Sequence, residues 1–462
     1  MNVLLVSPYR GAIFEYSGVK IQPLGVSYIG SALQQAGHNV QIELLENSDS
    51  LPDFTGADVV GISCNTVQFK SGLRVAKAAK EEDKIVIMGG PHPTSSPEET
   101  LCSGFVDFAV RAEGEVTAVE LLAGIKSGKN FNPGKVLGIS YIDKETGSIV
   151  NNPDRPFIQN LNNIPFPIRD ANWRYSKSNK AVSTGVIEYP LITTRGCPYG
   201  CNFCDVHLLA GRRFRARSIE NTVNEIEEII TKYGAERILI VDDIINFNND
   251  RLMELFETLI KRNLPVVRWV MGRSDHLIKK PETAELMSKA GVRQMFIGIE
   301  SPNERILKAY KKGGKISLDY SIKAVELLKQ NDIETWGAFL LGEPSETEED
   351  IKRTIEFAKY INPGIAQFSI LTPYPGTGLW QDVESKIITK DWDKYDAMHS
   401  VFNTDNIVPK DLEKMLMKAY MNFYRQPKRI LKELFDSEHY GRPNLKRIFE
   451  ILKALKIVFS HA

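Results

Sequence analysis

Cysteine is scarce in this chain, at five residues in 462. So few, and an odd number, exclude a disulfide framework and point to a reducing compartment. No apolar run reaches the roughly 18–20 residues that span a bilayer. No basic-then-apolar segment opens the chain, where Met1-Asn2-Val3-Leu4-Leu5-Val6 runs straight into Ser7-Pro8. The expected location is cytoplasmic. Neither sign of charge is in excess, with 58 Lys and Arg against 58 Asp and Glu. The chain as a whole therefore lacks the basic footprint of a nucleic-acid binder. The glycine signature G-x-G-x-x-G is missing from the first strand exit, which disfavours a dinucleotide.

What remains is an ordinary globular composition, 42% hydrophobic and 25% charged. At ~150 residues per domain the length suits about three domains. Over residues 1–125, short β-branched runs at 2–7, 39–45, 58–63, 84–88 and 105–110 alternate with helical patterns at 24–35, 67–81 and from 115 onward. Such alternation predicts a parallel sheet covered on both faces, with ligands beyond the carboxyl ends of its strands. Two glycine-containing exits lie there, Ser7-Pro8-Tyr9-Arg10-Gly11 and Gly89-Gly90-Pro91-His92. Gly89-Gly90 either makes a tight turn only or lets backbone approach a large flat ligand. Residues 126–186 read as a β-rich linker. Runs at 138–142 and 149–150 flank a Lys144-Glu145-Thr146-Gly147 turn, and four prolines follow between 153 and 167.

From 187 to 395 the alternation returns. Strands are expected at 189–194, 237–242, 266–271, 294–299, 333–341 and 364–371, with helices between them. Six β/α units are fewer than the eight of a closed barrel. The loop after the first of these strands reads TTRGCPYGCNFC and carries Cys197, Cys201 and Cys204. A C-x3-C-x2-C triplet supplies three thiolates, soft ligands for an iron–sulfur cluster or zinc. His207 would complete a zinc set, although structural zinc usually draws ligand pairs from separated loops. Three thiolates on a four-iron cubane leave one iron open for chemistry. Asp242 and Asp243, Arg273, Glu300 and Gly342-Glu343 end later strands at the same rim, where loops after strands build active sites. Carboxylates beside an arginine suit a ligand that carries both an amine and a carboxylate. Cys64 and Cys102 read as small core residues.

These residues resemble the radical S-adenosylmethionine (SAM) enzymes. The likeness extends through RRFRARS, VDDIINFN, MGRSD, FIGIES, FLLGEPSETEED and LTPYPGT. The first domain, with GGPHPT, is similar to the cobalamin-binding domain of the B12-dependent branch. The resemblance covers about residues 1–400. It implies an α/β architecture: a Rossmann-like (flavodoxin-like) cobalamin-binding domain, a partial (β/α)6 barrel and a C-terminal helical region over 396–462. It implies a [4Fe–4S] cluster on Cys197, Cys201 and Cys204, with SAM on the fourth iron. It places Asp242-Asp243 at the SAM amino group, with Arg273 and Glu300 helping to hold the carboxylate and ribose. Gly89, Gly90 and His92 would line the cobalamin pocket. The cobalt-ligating pattern D-x-H-x-x-G is replaced by Ser7-Pro8-Tyr9-Arg10-Gly11-Ala12, so no histidine is available from below the cobalt. This leaves room for a first domain that binds no cobalamin.

The expected activity is C-methylation of an unactivated carbon through a 5′-deoxyadenosyl radical and methylcobalamin, with electrons from a donor such as ferredoxin or flavodoxin. Rearrangement or oxidative cyclisation is the other enzymatic outcome of the same architecture. A zinc- or cobalamin-binding regulator is the non-enzymatic one. The tail LKRIFEILKALKIVFSHA alternates lysines with apolar residues at helical spacing. It reads either as a helix packed on its own domain or as a peripheral contact with anionic membrane. The second reading would suit a lipid substrate in place of another small molecule.

Overall fold

The computed structural model describes residues 1–9, 22–169, 186–264, 266–313, 317–427 and 429. The far end of the first strand exit, Arg10 to Ala12, and the basic tail beyond 429 lie outside the described residues. Among the described residues no helix is long and apolar enough to cross a membrane.

Seven strands make the first sheet: β1 (Asn2–Ser7), β2 (Asn39–Leu44), β3 (Val59–Ser63), β4 (Ile85–Gly89), β5 (Phe108–Val110), β6 (Ile139–Ile142) and β7 (Ile149–Asn151). Their spatial order is β2-β1-β3-β4-β5-β6-β7. The first five pair in parallel, in the flavodoxin-like order 2-1-3-4-5. β6 and β7 add antiparallel. The hairpin placed in a linker by sequence thus extends the first sheet, because its Ile139 faces the same core as Val110.

Strict period-2 alternation sends the strand residues to two different cores. Val3, Leu5, Val59 and Ile87 face helices Leu24–Gln35 and Glu115–Lys126. Leu4, Val6, Val60, Ile62, Val86 and Met88 face helix Phe69–Glu81, and their core continues into Tyr310, Leu371, Leu379, Trp392, Tyr395 and Phe402. The first domain and the end of the second therefore share one apolar interior. Two buried guanidinium–carboxylate contacts fasten the crossover. Glu225 takes Arg169 Nη2 at 2.7 Å and pairs with Arg217 on its other oxygen.

The second sheet holds β8 (Glu188–Leu191), β11 (Arg237–Ile240), β12 (Val267–Gly272), β13 (Gln294–Glu300), β14 (Glu334–Leu341) and β15 (Ile365–Ile370). All pair in parallel and in chain order, giving the expected open, six-stranded partial barrel. A two-stranded ribbon, β9 (Thr194–Arg195) with β10 (Arg215–Ala216), interrupts the loop after β8. Helix ends are closed by local caps. Ser218 and Thr347 each bond an amide three residues on, and Gly234 ends its helix at φ 67°. Helix Pro409–Tyr424 closes the far edge, where Tyr420 and Tyr424 hydroxyls bond both backbone groups of Phe368 and Ala366 on β15.

Candidate active site

The cysteine loop leaves the ribbon through Gly196. That residue sits at φ 85°, where a Cβ would lie 2.4 Å from the Arg213 carbonyl oxygen. Only glycine fits there. The loop is held from outside by its backbone. Cys197 N bonds Gly211 O, Asn202 N bonds Tyr310 O and Leu379 N bonds Asn202 O. The three thiols are half-buried. Burial pushes the pKa of each one up, and neighbouring thiolate charge adds to this at Cys201 and Cys204. Lys312 and Arg273 pull Cys201 the other way. The Cys201 thiol lies 3.9 Å from Lys312 O. Among the described residues no three His, Cys, Asp or Glu side chains stand as a ready-made metal-holding group. The fit is in the donor chemistry, three soft thiols from one short loop with Lys312 and Arg273 acting on Cys201, which suits an anionic iron–sulfur centre. His207 turns Nδ1 to the Cys204 carbonyl oxygen at 2.9 Å.

Arg273 and Glu300, expected at a bound ligand, are engaged within the protein. Arg273 bonds both Asp275 oxygens, Lys312 O at 3.1 Å and Gly313 O at 2.7 Å, and lies 3.6 Å over the Tyr199 ring. Glu300 pairs with Lys312 Nζ at 2.8 Å. Asp242 is fully buried and accepts from Thr193 N, Thr193 Oγ1 and Thr194 N at 2.6, 2.5 and 3.0 Å. It braces the turn that leads to the cysteine loop. Asp243 differs from its neighbour. It accepts Gly196 N at 3.0 Å and opens onto a cavity. Although its side chain is exposed to the cavity, the surrounding walls desolvate the carboxyl and push its pKa up to about 6, against the Gly196 bond and reinforced by the Asp242 charge.

That cavity, about 350 Å³, runs between the first sheet and its two helices and ends against the barrel rim. Val3, Leu5, Leu33, Val59, Ile87 and Leu122 line its depth. Ser63, Gly89, Gly90, Glu113, Glu115, Arg195 and Asp243 line it toward the rim. Gly89 and Gly90 thus stand at the strand exit and line the cavity. Gly90 has φ 99°, and a Cβ there would lie 2.7 Å from Cys64 O, so backbone forms the wall. An apolar slot of this volume that meets polar groups at the strand ends fits an apolar part of a larger ligand whose polar part meets the rim. Gly90→Ala is expected to destabilise by about 1–3 kcal/mol through backbone strain and to weaken ligand binding in the cavity. Urea unfolding and equilibrium dialysis check it.

His92 does not reach this cavity. It is fully buried on the other face of the sheet, 4.0 Å from the Phe69 ring and 4.9 Å from Trp392, with Nε2 3.5 Å from Glu99. Residues 91–95 and 97–102 form two short helices. They carry the chain over the sheet edge, so the imidazole enters the core shared by both domains. Cys64 is buried as expected, whereas Cys102 is exposed at the end of the second short helix.

Several residues of the site drew no notice in the sequence. Lys312 and His276 lie against the cysteine loop, Lys312 through its carbonyl oxygen near Cys201 and His276 through Nε2, which meets the hydroxyl of Tyr199 within the loop at 2.5 Å. Glu113 and Glu115 follow the fifth strand, a position that could have marked them. Glu346 hides in FLLGEPSETEED. It is fully buried, with one carboxylate oxygen on Gly342 N at 2.6 Å and the other without a partner. Burial pushes its pKa from 4.5 to about 8 despite those amide bonds. Between these values the unfolded chain ionises first, so stability falls as pH rises through about 4.5 to 8. Glu346→Gln is expected to match the parent at pH 4 and to exceed it increasingly toward pH 8.5, by ~1.4 kcal/mol at most per pH unit in that window. Thermal unfolding at the two pH values measures the difference.

Comparison with known proteins agrees with this architecture. The family model described as Radical SAM superfamily matches residues 191–358, and the B12 binding domain model matches residues 11–122. An uncharacterized methyltransferase of Pyrococcus horikoshii is 35% identical over 455 residues, covering 96% of each chain. The bacteriochlorophyllide d C-12(1)-methyltransferase of Chlorobaculum tepidum is 29% identical, covering 91% of this chain and 87% of that one. The structure of the radical S-adenosylmethionine methyltransferase TsrM from Kitasatospora setae, with cobalamin and a [4Fe–4S] cluster bound, shares the fold. It superposes with a TM-score of 0.72 at 17% identity over 100% of this chain and 99% of that one. With the thiol loop on a six-stranded parallel sheet and the cavity of a flavodoxin-like domain beside it, the chain belongs to the B12-binding-domain-containing branch of the radical SAM family.

Proposed function

We propose that the protein is a C-methyltransferase that modifies an unactivated carbon of a small molecule. The observation that carries this reading is the junction of its two sites. Arg195 lines the cavity of the first domain, and Cys197, the first thiol of the cluster loop, lies two residues further on. When bound, the cluster with SAM supplies one-electron activation of a C–H bond, and cobalamin supplies the methyl group.

The protein's own residues hold, orient and exclude water. Cys197, Cys201 and Cys204 would hold the cluster, with Lys312 and Arg273, each already paired with a carboxylate, favouring the Cys201 thiolate. Asp243, open to the cavity, would take the SAM ammonium. Asp242, Arg273 and Glu300 act one step back, by fixing the loop backbone and the strand ends. Gly89, Gly90 and Ser63 would line the cobalamin face. The apolar depth of the cavity keeps bulk water from reactive species. A one-electron carrier such as ferredoxin or flavodoxin would feed the cluster, and the thiolate set suits a cytoplasmic, reducing setting.

Anaerobic reconstitution with iron, sulfide and cobalamin tests the reading. The expected product of SAM is 5′-deoxyadenosine, and its absence overturns radical chemistry. 5′-Deoxyadenosine with an unmethylated product on the true substrate overturns methyl transfer alone.

A further inference from the structure

A lattice of buried ion pairs joins the two sites. Glu113 and Glu115 follow β5 and line the cavity. Arg195, on β9, donates Nη1 to Glu113 at 3.0 Å and Nη2 to Glu115 at 2.6 Å. Arg215, its partner on β10, reaches both Glu113 oxygens at 2.9 Å. The second domain's Ala210 and the connecting segment's Ile158 complete the set. Arg215 donates to both of their carbonyls, and the Ile158 amide returns a bond to Glu113. All four charged side chains are nearly buried, from 6% to 12% exposed. Arg195 also lies 5.1 Å over the ring of Tyr28, another cavity wall residue.

The lattice has little slack. Beyond Arg195 comes Gly196, packed so closely on three carbonyl oxygens that no Cβ fits, and then Cys197. Charge-assisted, forked contacts of this kind fix geometry as well as energy. A ligand that moves the Glu113-Gly114-Glu115 loop must therefore move the root of the cysteine loop.

We infer that Arg195, Glu113, Glu115 and Arg215 form a positioning unit through which occupancy of the first-domain cavity and occupancy of the cluster site alter each other's affinity. The inference rests on the proposed reading of the two sites as those of cobalamin and SAM. Arg195 and Glu115 are positioning residues here, acting through the backbone of the loop.

The test uses the full chain reconstituted with iron and sulfide. The dissociation constant of SAM is measured by equilibrium dialysis with and without hydroxocobalamin, and that of hydroxocobalamin with and without SAM. Linkage requires the two ratios to agree. The parent is expected to show a ratio of roughly fivefold or more. Glu115→Gln and Arg195→Lys, which keep size and, for lysine, charge, are expected to bring it within about twofold of one. Both are cavity-wall residues, so each ligand alone is expected to bind the variants more weakly, and the readout is the ratio. A parent ratio of one overturns the inference, as does a parent-like ratio in both folded variants. So does equal weakening of both ligands with the ratio kept, the pattern of a merely structural pair. Failure of the underlying reading looks different: the parent then binds no hydroxocobalamin or makes no 5′-deoxyadenosine.

Discussion

Replacing Cys201 with alanine is expected to abolish SAM cleavage while leaving cobalamin binding intact. Cys201 is the middle thiol of the set, its sulfur lies 3.9 Å from Lys312 O, and the Lys312 and Arg273 charges favour its thiolate. Two thiolates cannot retain a cubane that three protein ligands hold, so the loss is of the cluster itself and not of a fraction of rate. The cavity is built from other residues, and Cys201 is not among them. Anaerobic protein would lose its broad iron–sulfur absorbance and its reduced-cluster paramagnetic signal, and 5′-deoxyadenosine would fall below detection. Cleavage within about tenfold of the parent would remove the cluster ligand role from Cys201. A regulator that only senses cobalamin would be indifferent to the change.

The largest expected loss of stability comes from Glu225→Ala. Glu225 is 1% exposed and lies between Arg169, 2% exposed, and Arg217, 5% exposed. Arg169 also bonds Pro190 O at 2.8 Å, and Arg217 bonds Ile192 O at 2.8 Å. Their guanidinium groups are thus fixed in the interior and cannot turn to water. Removing the carboxylate leaves two buried positive charges facing each other, a loss of about 3–5 kcal/mol. Urea unfolding should show the midpoint falling with an unchanged slope. Removing Glu285 from its pair with Lys289, both more than 60% exposed, serves as contrast, with an expected change within ~0.5 kcal/mol. Equal effects from the two substitutions would show that Glu225 does not hold the crossover.

The elements were legible along the chain because helix and strand periodicity are local properties. Expected strands at 2–7, 294–299 and 364–371 fall on Asn2–Ser7, Gln294–Glu300 and Ile365–Ile370. Helix Leu24–Gln35 has the expected bounds. The thiol triplet was legible for the same reason, since its three donors lie within eight residues. Gly89 and Gly90 were found because a strand exit with two glycines is a local signal, and the φ of Gly90 supplies its physical basis.

What the sequence by itself determined is therefore the order of β and α segments, the cysteine loop and the glycine wall, all set by interactions within a few residues. Tertiary structure alone decided which face each residue meets. One residue of register separates Asp242, turned into Thr193 and Thr194, from Asp243, turned to the cavity. His92 follows the glycine wall by two residues, yet the short helix that starts at Pro91 carries it through to Phe69 and Trp392 on the opposite side. The β6–β7 hairpin joins the first sheet because its edge strand was open. The Arg195 lattice spans about 80 residues of chain between its partners. Pairings at that separation carry no periodic trace, because they exist only after two domains have packed and shut their charges away from water.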